Sequence, residues 1–211
     1  MSEIKAAIFD LDGVIVDTAK YHYLAWKKLA DQLGFEFTER DNERLKGVSR
    51  MRSLEILLKV GNKEFDDETK QELATKKNTW YVDYISSIDE SELLPGAKDY
   101  LIRIRNRGLK TALGSASKNA PLIIKNLNIT ECFDAIVDGN SVSKAKPDPE
   151  VFLRAADELG VAPEQCIVFE DAEAGILAAK NANMKCVGIG SEENLSMADL
   201  VISGLDKAPL V

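Results

Sequence analysis

Short apolar runs of strand length recur along the chain, at residues 6–9, 110–113, 135–137, 166–169, 185–189 and 200–202. Helical patterns lie between them. Pro95-Gly96 opens one that carries Tyr100, Leu101 and Ile104 and ends at Gly108. Pro121 opens another with Leu122, Ile123 and Leu127, and Pro149 starts a third that stops at Gly160. Proline at the start and glycine past the end are the expected punctuation of a helix. Strands alternating with helices predict an α/β fold with a parallel sheet covered on both faces. Such sheets bind ligands at the carboxyl ends of their strands, so chemistry is expected just after each strand.

Residues 17–88 break this rhythm. The stretch 19–33 is helical, with His22, Trp26, Leu29 and Leu33 on one face. Residues 53–58 form another helical run, and Leu73, Lys77, Trp80, Tyr81, Tyr84, Ile85 and Ile88 follow helical spacing. The expectation is an all-helical cap, residues 17–88, inserted after the first strand of a core formed by residues 1–16 and 89–211. The linkers fall near Asp17 and at residues 89–94.

Composition narrows the function. The chain has 211 residues, 45% of them hydrophobic, with 27 Lys+Arg against 35 Asp+Glu and a net charge of −8. That is ample for a buried core and unlike a disordered chain. An acidic balance argues against a nucleic-acid partner, which needs a basic field. No apolar run approaches the ~20 residues of a membrane span, and Glu3 and Lys5 precede only a strand-like stretch, so neither a membrane partner nor a signal peptide is expected. Cys132, Cys166 and Cys186 are widely spaced and read as thiols of a reducing, cytoplasmic protein. A monomer is the default expectation.

Four strand ends carry polar groups. Asp10-Leu11-Asp12-Gly13 places two carboxylates two residues apart, so that one can meet a cation while the other reaches a substrate atom. By itself the tetrapeptide also reads as an Asp-rich turn. Gly114-Ser115-Ala116-Ser117-Lys118-Asn119 precedes a helix and suits either phosphate or simple capping. Lys146 stands before Pro147, in a polar loop where a surface lysine is the plain alternative. Glu170-Asp171 offers hard oxygen ligands for Mg²⁺, or merely charges that favour a helix start.

Taken together, the sequences from Ile8 to Val14, Ser115, Lys146-Pro147 and Glu170-Asp171 closely resemble the four motifs of the haloacid dehalogenase superfamily, in order and across essentially the whole chain. The resemblance implies a Rossmann-like core with the helical cap inserted in it. It implies a catalytic set of Asp10, Asp12, Ser115 and Lys146, with Asp10 the nucleophile that becomes phosphorylated. It also implies Mg²⁺ held by Asp10, Glu170, Asp171 and the Asp12 carbonyl, with Lys146 and Ser115 on the phosphoryl oxygens. Asp12, its side chain free of the metal, is expected to move the proton. Ala172 departs from the serine many relatives carry there. The chain also stops at Val211 where relatives often continue into another helix, a difference expected to affect packing more than chemistry.

The cap residues point to a substrate. Leu45-Lys46-Gly47-Val48-Ser49-Arg50 places two cations around a glycine between helical stretches, which alone reads as a charged turn. His22, in register with Trp26, reads alone as a satisfied semi-buried histidine. Resemblance to the sugar-phosphate mutases of the superfamily implies more. Arg50 is expected to grip the non-transferring phosphate, helped by Ser117, Lys118 and Asn119 beside Ala116. Lys46, Gly47 and Val48 line the sugar site, Trp26, Ser53 and Lys77 are peripheral contacts, and Thr18 and His22 position Asp12. The implied activity exchanges a phosphoryl group between the 1- and 6-positions of β-glucose through an aspartyl-phosphate and a bisphosphate. The alternatives are a Mg²⁺-dependent sugar-phosphate phosphatase or a non-catalytic sensor of sugar phosphates.

Overall fold

The structure is a computed structural model that describes residues 3–45 and 48–210. Its centre is a sheet of six parallel strands: β1 (Ala6–Phe9), β2 (Lys110–Gly114), β3 (Ala135–Val137), β4 (Cys166–Glu170), β5 (Lys185–Ile189) and β6 (Leu200–Ile202). They lie in the order β3-β2-β1-β4-β5-β6. Every strand expected from the apolar runs is present, and β2 and β4 each reach one residue further, to Gly114 and Glu170. Ala6 pairs with Lys110 on one side and Cys166 on the other, so β1 is central. Its four residues are wholly buried, as a strand covered on both faces requires.

Nine α-helices are described: α1 (Ala19–Leu33), α2 (Glu39–Glu43), α3 (Arg50–Val60), α4 (Asp67–Ile85), α5 (Ala97–Asn106), α6 (Ala120–Asn126), α7 (Glu150–Leu159), α8 (Glu173–Asn181) and α9 (Glu192–Leu195). Alternation along β1 sends Ala7 and Phe9 to one face and Ala6 and Ile8 to the other. On the first face Phe9 stacks on Phe169 at 4.7 Å between ring centroids and packs with Tyr100, Leu101 and Ile104 of α5 and Ile123 and Ile124 of α6. On the second, Ile8 joins Phe152 and Ala155 of α7 and Ile176 and Ala179 of α8.

Helices α1 to α4 have an apolar cluster of their own, built on Trp26, Leu29, Phe37, Leu54, Leu57 and Ala74. Two details differ from the sequence reading. The short helix α2 was not expected, because its polar run Glu39–Glu43 has no apolar period; a capping box between Thr38 and Asp41 holds it instead. The turn expected through Arg50 ends one residue earlier. Ser49 caps α3 by accepting from the Arg52 N–H at 3.4 Å, which makes Arg50 the first helical residue.

The chain leaves and re-enters the sheet layer side by side. Val16 bridges to Leu93, the Leu94 N–H donates to the Ile15 carbonyl at 2.9 Å, and Glu92 accepts from Lys20 Nζ at 2.5 Å and from the Tyr21 hydroxyl at 2.8 Å.

Candidate active site

Strand order reverses between β1 and β4, which opens a crevice at their carboxyl ends. A cleft of about 700 Å³ lies there, walled by strand-end loops on one side and by α1, α3 and α4 on the other. Asp10 leaves β1 with its N–H donated to the Phe169 carbonyl at 2.9 Å, and so stands beside the end of β4.

Two glycines make room for the acids. Gly13 has φ +78°, and a Cβ there would overlap the Asp171 carboxylate. Gly175 lies in α8, where a Cβ would overlap the Glu170 carboxylate. Lys146 Nζ donates to Asp10 Oδ1 and to Glu170 Oε1, both at 2.6 Å. Glu170 Oε2 accepts from the Ala172 N–H at 2.8 Å, so each Glu170 oxygen carries a donor. Burial disfavours charge on Lys146, yet the Asp10 and Glu170 carboxylates hold its pKa above the ordinary lysine value. Burial raises the Glu170 carboxyl, with Lys146 opposing.

Asp10, Glu170 and Asp171 each present a carboxylate oxygen, and these oxygens lie within 4.8 Å of one another. An all-oxygen, anionic donor set of that size fits a hard divalent cation such as Mg²⁺. The Asp12 carboxylate is not one of these oxygens and accepts from the Thr18 hydroxyl. Burial and the neighbouring Asp10 charge push the Asp12 carboxyl up to about 7, against the Thr18 hydrogen bond and the charges of Lys146 and Lys77. An acid that titrates near neutrality can both give and take a proton.

The loop after β2 is tied to itself. Ser115 Oγ accepts from the Ser117 N–H at 3.1 Å and Ser117 Oγ from the Asn119 N–H at 3.2 Å. Asn140 Nδ2 donates to the Lys118 carbonyl at 3.0 Å. Ser115, Ala116, Ser117, Lys118 and Asn119 all border the cleft.

From the opposite wall come His22 and Trp26 of α1, Val48, Arg50 and Ser53 at and within the start of α3, and Lys77 of α4. Lys77, only 2% exposed, hydrogen-bonds its Nζ to His22 Nδ1 at 2.8 Å and lies over the rings of Trp26 and Tyr81, 4.6 and 4.5 Å from their centroids. Burial, with Arg50 nearby, holds the Lys77 amine well below the usual lysine value; burial and the Lys77 and Arg50 charges lower the His22 imidazole likewise. Burial also lowers Arg50, whose guanidinium nevertheless stays a cation at any working pH.

The cleft thus gathers Asp10, Asp12, Ser115, Lys146 and Asp171 with the loop and cap residues expected from the sequence. Thr18 and Glu170 sit behind its wall and reach it through Asp12 and Lys146. Lys46 and Gly47 lie outside the described residues. Three side chains at the site were given no functional role from the sequence. Tyr81 donates to Thr18 Oγ1 at 3.1 Å, Asn78 accepts from Asn119 Nδ2 at 2.9 Å, and Glu150 accepts the Ser143 and Lys144 N–H groups at 3.0 and 2.7 Å, fixing the loop that delivers Lys146. Of these, Tyr81 carried a signal in its helical register with Lys77, which reads as packing.

Known proteins resemble this chain along most of its length. A β-phosphoglucomutase of Bacillus subtilis is 48% identical over 201 residues, covering 94% of this chain and 89% of that protein. A phosphorylated-carbohydrates phosphatase of Thermotoga maritima is 31% identical over 188 residues, covering 86% and 83%. The crystal structure of a β-phosphoglucomutase from Clostridium difficile superposes with a TM-score of 0.94 at 46% identity, covering 98% of this chain and 93% of that one. The model of the haloacid dehalogenase-like hydrolases matches residues 4–183. With its paired aspartates after β1 and its acidic pair after β4, the chain belongs to the haloacid dehalogenase-like hydrolase family.

Proposed function

We propose that this chain is a β-phosphoglucomutase, an enzyme that interconverts β-D-glucose 1-phosphate and D-glucose 6-phosphate. One observation carries the reading: a cleft that holds the Asp10/Asp12 pair on one wall also has Arg50 on the other, in a chain 48% identical to a β-phosphoglucomutase. Residues 17–88 act as a cap over a core of residues 1–16 and 89–211.

In the cycle, phosphorylated Asp10 gives its phosphoryl group to the 6-hydroxyl of β-glucose 1-phosphate while Asp12 takes the hydroxyl proton. The β-glucose 1,6-bisphosphate turns round. Asp10 attacks the phosphorus of the 1-phosphate, the C1–O oxygen leaves with the proton held by Asp12, and glucose 6-phosphate remains. An Asp12 pKa of about 7 suits both proton transfers. Asp10, Glu170, Asp171 and the Asp12 carbonyl would hold Mg²⁺, which would supply positive charge to offset repulsion between a carboxylate and a phosphate dianion.

Lys146 and Ser115 hold the transferring phosphoryl oxygens. Arg50 grips the other phosphate with its planar fork, helped by Ser117, Lys118 and Asn119 beside Ala116. Lys46, Gly47 and Val48 line the sugar, with Trp26, Ser53 and Lys77 at its periphery. Covering the site with the cap keeps water from the aspartyl-phosphate, whose hydrolysis is the competing reaction. The partners are sugar phosphates, and the protein works as a cytoplasmic monomer. Among the described residues no helix is long and apolar enough to cross a membrane.

A phosphatase on the same scaffold is the second reading, favoured by the 31% identity to a carbohydrate phosphatase. Purified protein given Mg²⁺, β-glucose 1-phosphate and a trace of β-glucose 1,6-bisphosphate separates the two. Glucose 6-phosphate in large excess over inorganic phosphate is expected; mainly inorganic phosphate establishes the phosphatase, and neither product leaves a sensor. Loss of turnover in Asp10→Asn is required by both enzymatic readings.

A further inference from the structure

Tyr81 is fully buried in α4, one turn beyond Lys77. Its ring stacks on His22, 4.0 Å between centroids and 22° from parallel, which fixes where its hydroxyl points. That hydroxyl donates to Thr18 Oγ1 at 3.1 Å, and Thr18 in turn donates to Asp12 Oδ1. A threonine hydroxyl has one proton and accepting lone pairs. When Tyr81 gives its proton to the Thr18 oxygen, the Thr18 proton is left to point at Asp12. The three groups therefore form a chain with one direction, running from the helical layer into the loop after β1.

We infer that Tyr81 is a positioning residue for the proton-transfer step: by donating to Thr18 it orients the Thr18 hydroxyl, and through it the Asp12 carboxylate, toward the sugar oxygen. The inference deepens the mutase reading and rests on Asp12 being the proton carrier. A Tyr81 that only filled space and satisfied its own hydroxyl would matter equally to every step. A positioning Tyr81 matters only where Asp12 moves a proton. Acetyl phosphate makes the distinction, because acetate leaves as a stable anion that needs no proton. Phosphorylation of Asp10 from acetyl phosphate therefore bypasses Asp12, whereas transfer from phospho-Asp10 to a sugar hydroxyl does not.

The test is Tyr81→Phe, which keeps the ring and removes the oxygen. The kcat for glucose 6-phosphate formation is expected to fall about tenfold, a part of the roughly 10²–10⁴-fold that general acid–base catalysis supplies, with KM within about twofold of the parent. The rate of Asp10 phosphorylation by acetyl phosphate, read by mass spectrometry, stays within about twofold. Thr18→Val supplies a second arm: adding Tyr81→Phe to it should cause no further loss, because the chain is already cut. Equal loss in both half-reactions, an unchanged kcat, or additive losses in the double variant would each overturn the inference. Failure of the mutase reading looks different, since the parent itself would then release inorganic phosphate, and the same two half-reactions would still be compared with that product as readout.

Discussion

Asn119 Nδ2 donates to Asn78 Oδ1 at 2.9 Å, joining the loop after β2 to α4 across the cleft. Asn78 follows Lys77 directly, so a single bond connects the wall that carries the buried lysine to the loop proposed to hold phosphate. Asn78→Ala frees the Asn119 amide and loosens the helical layer over the sugar. The lost bond is worth about 1 kcal/mol, so KM for β-glucose 1-phosphate is expected to rise about fivefold. Steady-state kinetics beside a melting curve within 2–4 °C of the parent (roughly 1 kcal/mol for a chain of this size) checks it. An unchanged KM would remove Asn78 from the binding account.

Gly175 is a spacing residue. Its absent side chain leaves the volume that the Glu170 carboxylate fills, and Glu170 has nowhere else to go because it is wholly buried and bonded to Lys146 and the Ala172 N–H. Gly175→Ala should improve α8 by propensity, by about 1 kcal/mol. Yet it must displace a buried ion pair, a loss of about 3–5 kcal/mol when one partner is removed outright. Net destabilisation is expected, together with a Mg²⁺ requirement raised at least about tenfold (about 1.4 kcal/mol). Mg²⁺ titration of activity measures the second effect, and full activity at parental Mg²⁺ would contradict it.

Lys77 sets a pH dependence. Burial and the Arg50 charge hold its folded-state proton affinity well below the value of 10.5 in the open chain, with Asp12 opposing, while the adjoining His22 is lowered as well. Below pH 10.5 the unfolded chain therefore binds a proton here more readily than the native protein, and folding is penalised by the difference. That cost is present at neutral pH and disappears as pH rises toward 10.5. Lys77→Met keeps length and flexibility without the amine. Each tenfold loss of proton affinity costs about 1.4 kcal/mol, so the variant is expected to melt at least about 2–4 °C higher at pH 7, with the gain shrinking by pH 10 and with weaker turnover. Thermal melts at the two pH values decide it.

Ala172 occupies the N-cap of α8 in extended geometry, φ −118° and ψ 142°, without a side-chain cap. Those angles suit a capping hydroxyl. Ala172→Ser should stabilise the protein by about 0.5–2 kcal/mol while leaving Glu170 its backbone donor. Denaturant melts measure the gain; a loss of stability would show that the hydroxyl competes with Glu170 instead of capping.

The sheet was legible because parallel strands buried on both faces leave uninterrupted apolar runs, such as Ala6-Ala7-Ile8-Phe9. Motif positions were legible because topology sends every strand's carboxyl end to one edge, so Asp10, Ser115, Lys146 and Asp171 had to meet. What stayed hidden were relationships between segments far apart in the chain. Nothing in the spacing of α4 told Tyr81 from a packing residue, since its hydroxyl finds Thr18 only when α1 and α4 lie together. Glycine presented the same difficulty: Gly175 reads as a weak spot in a helix until Glu170 is seen beside it. Helix α2 was missed because a capping box, not an apolar face, holds its five residues.

The middle position of β1 bears on how the molecule is made. It precedes the other five strands along the chain, but its two neighbours are residues 110–114 and 166–170, so its hydrogen bonds are complete only once residue 170 has been made. The helical cluster from Trp26 to Ala74 draws on nearby chain and can assemble well before that. A nascent polypeptide can therefore carry an assembled helical cluster while β1, wholly apolar, still lacks one of its two neighbours. That interval, not the finished enzyme, is when aggregation threatens.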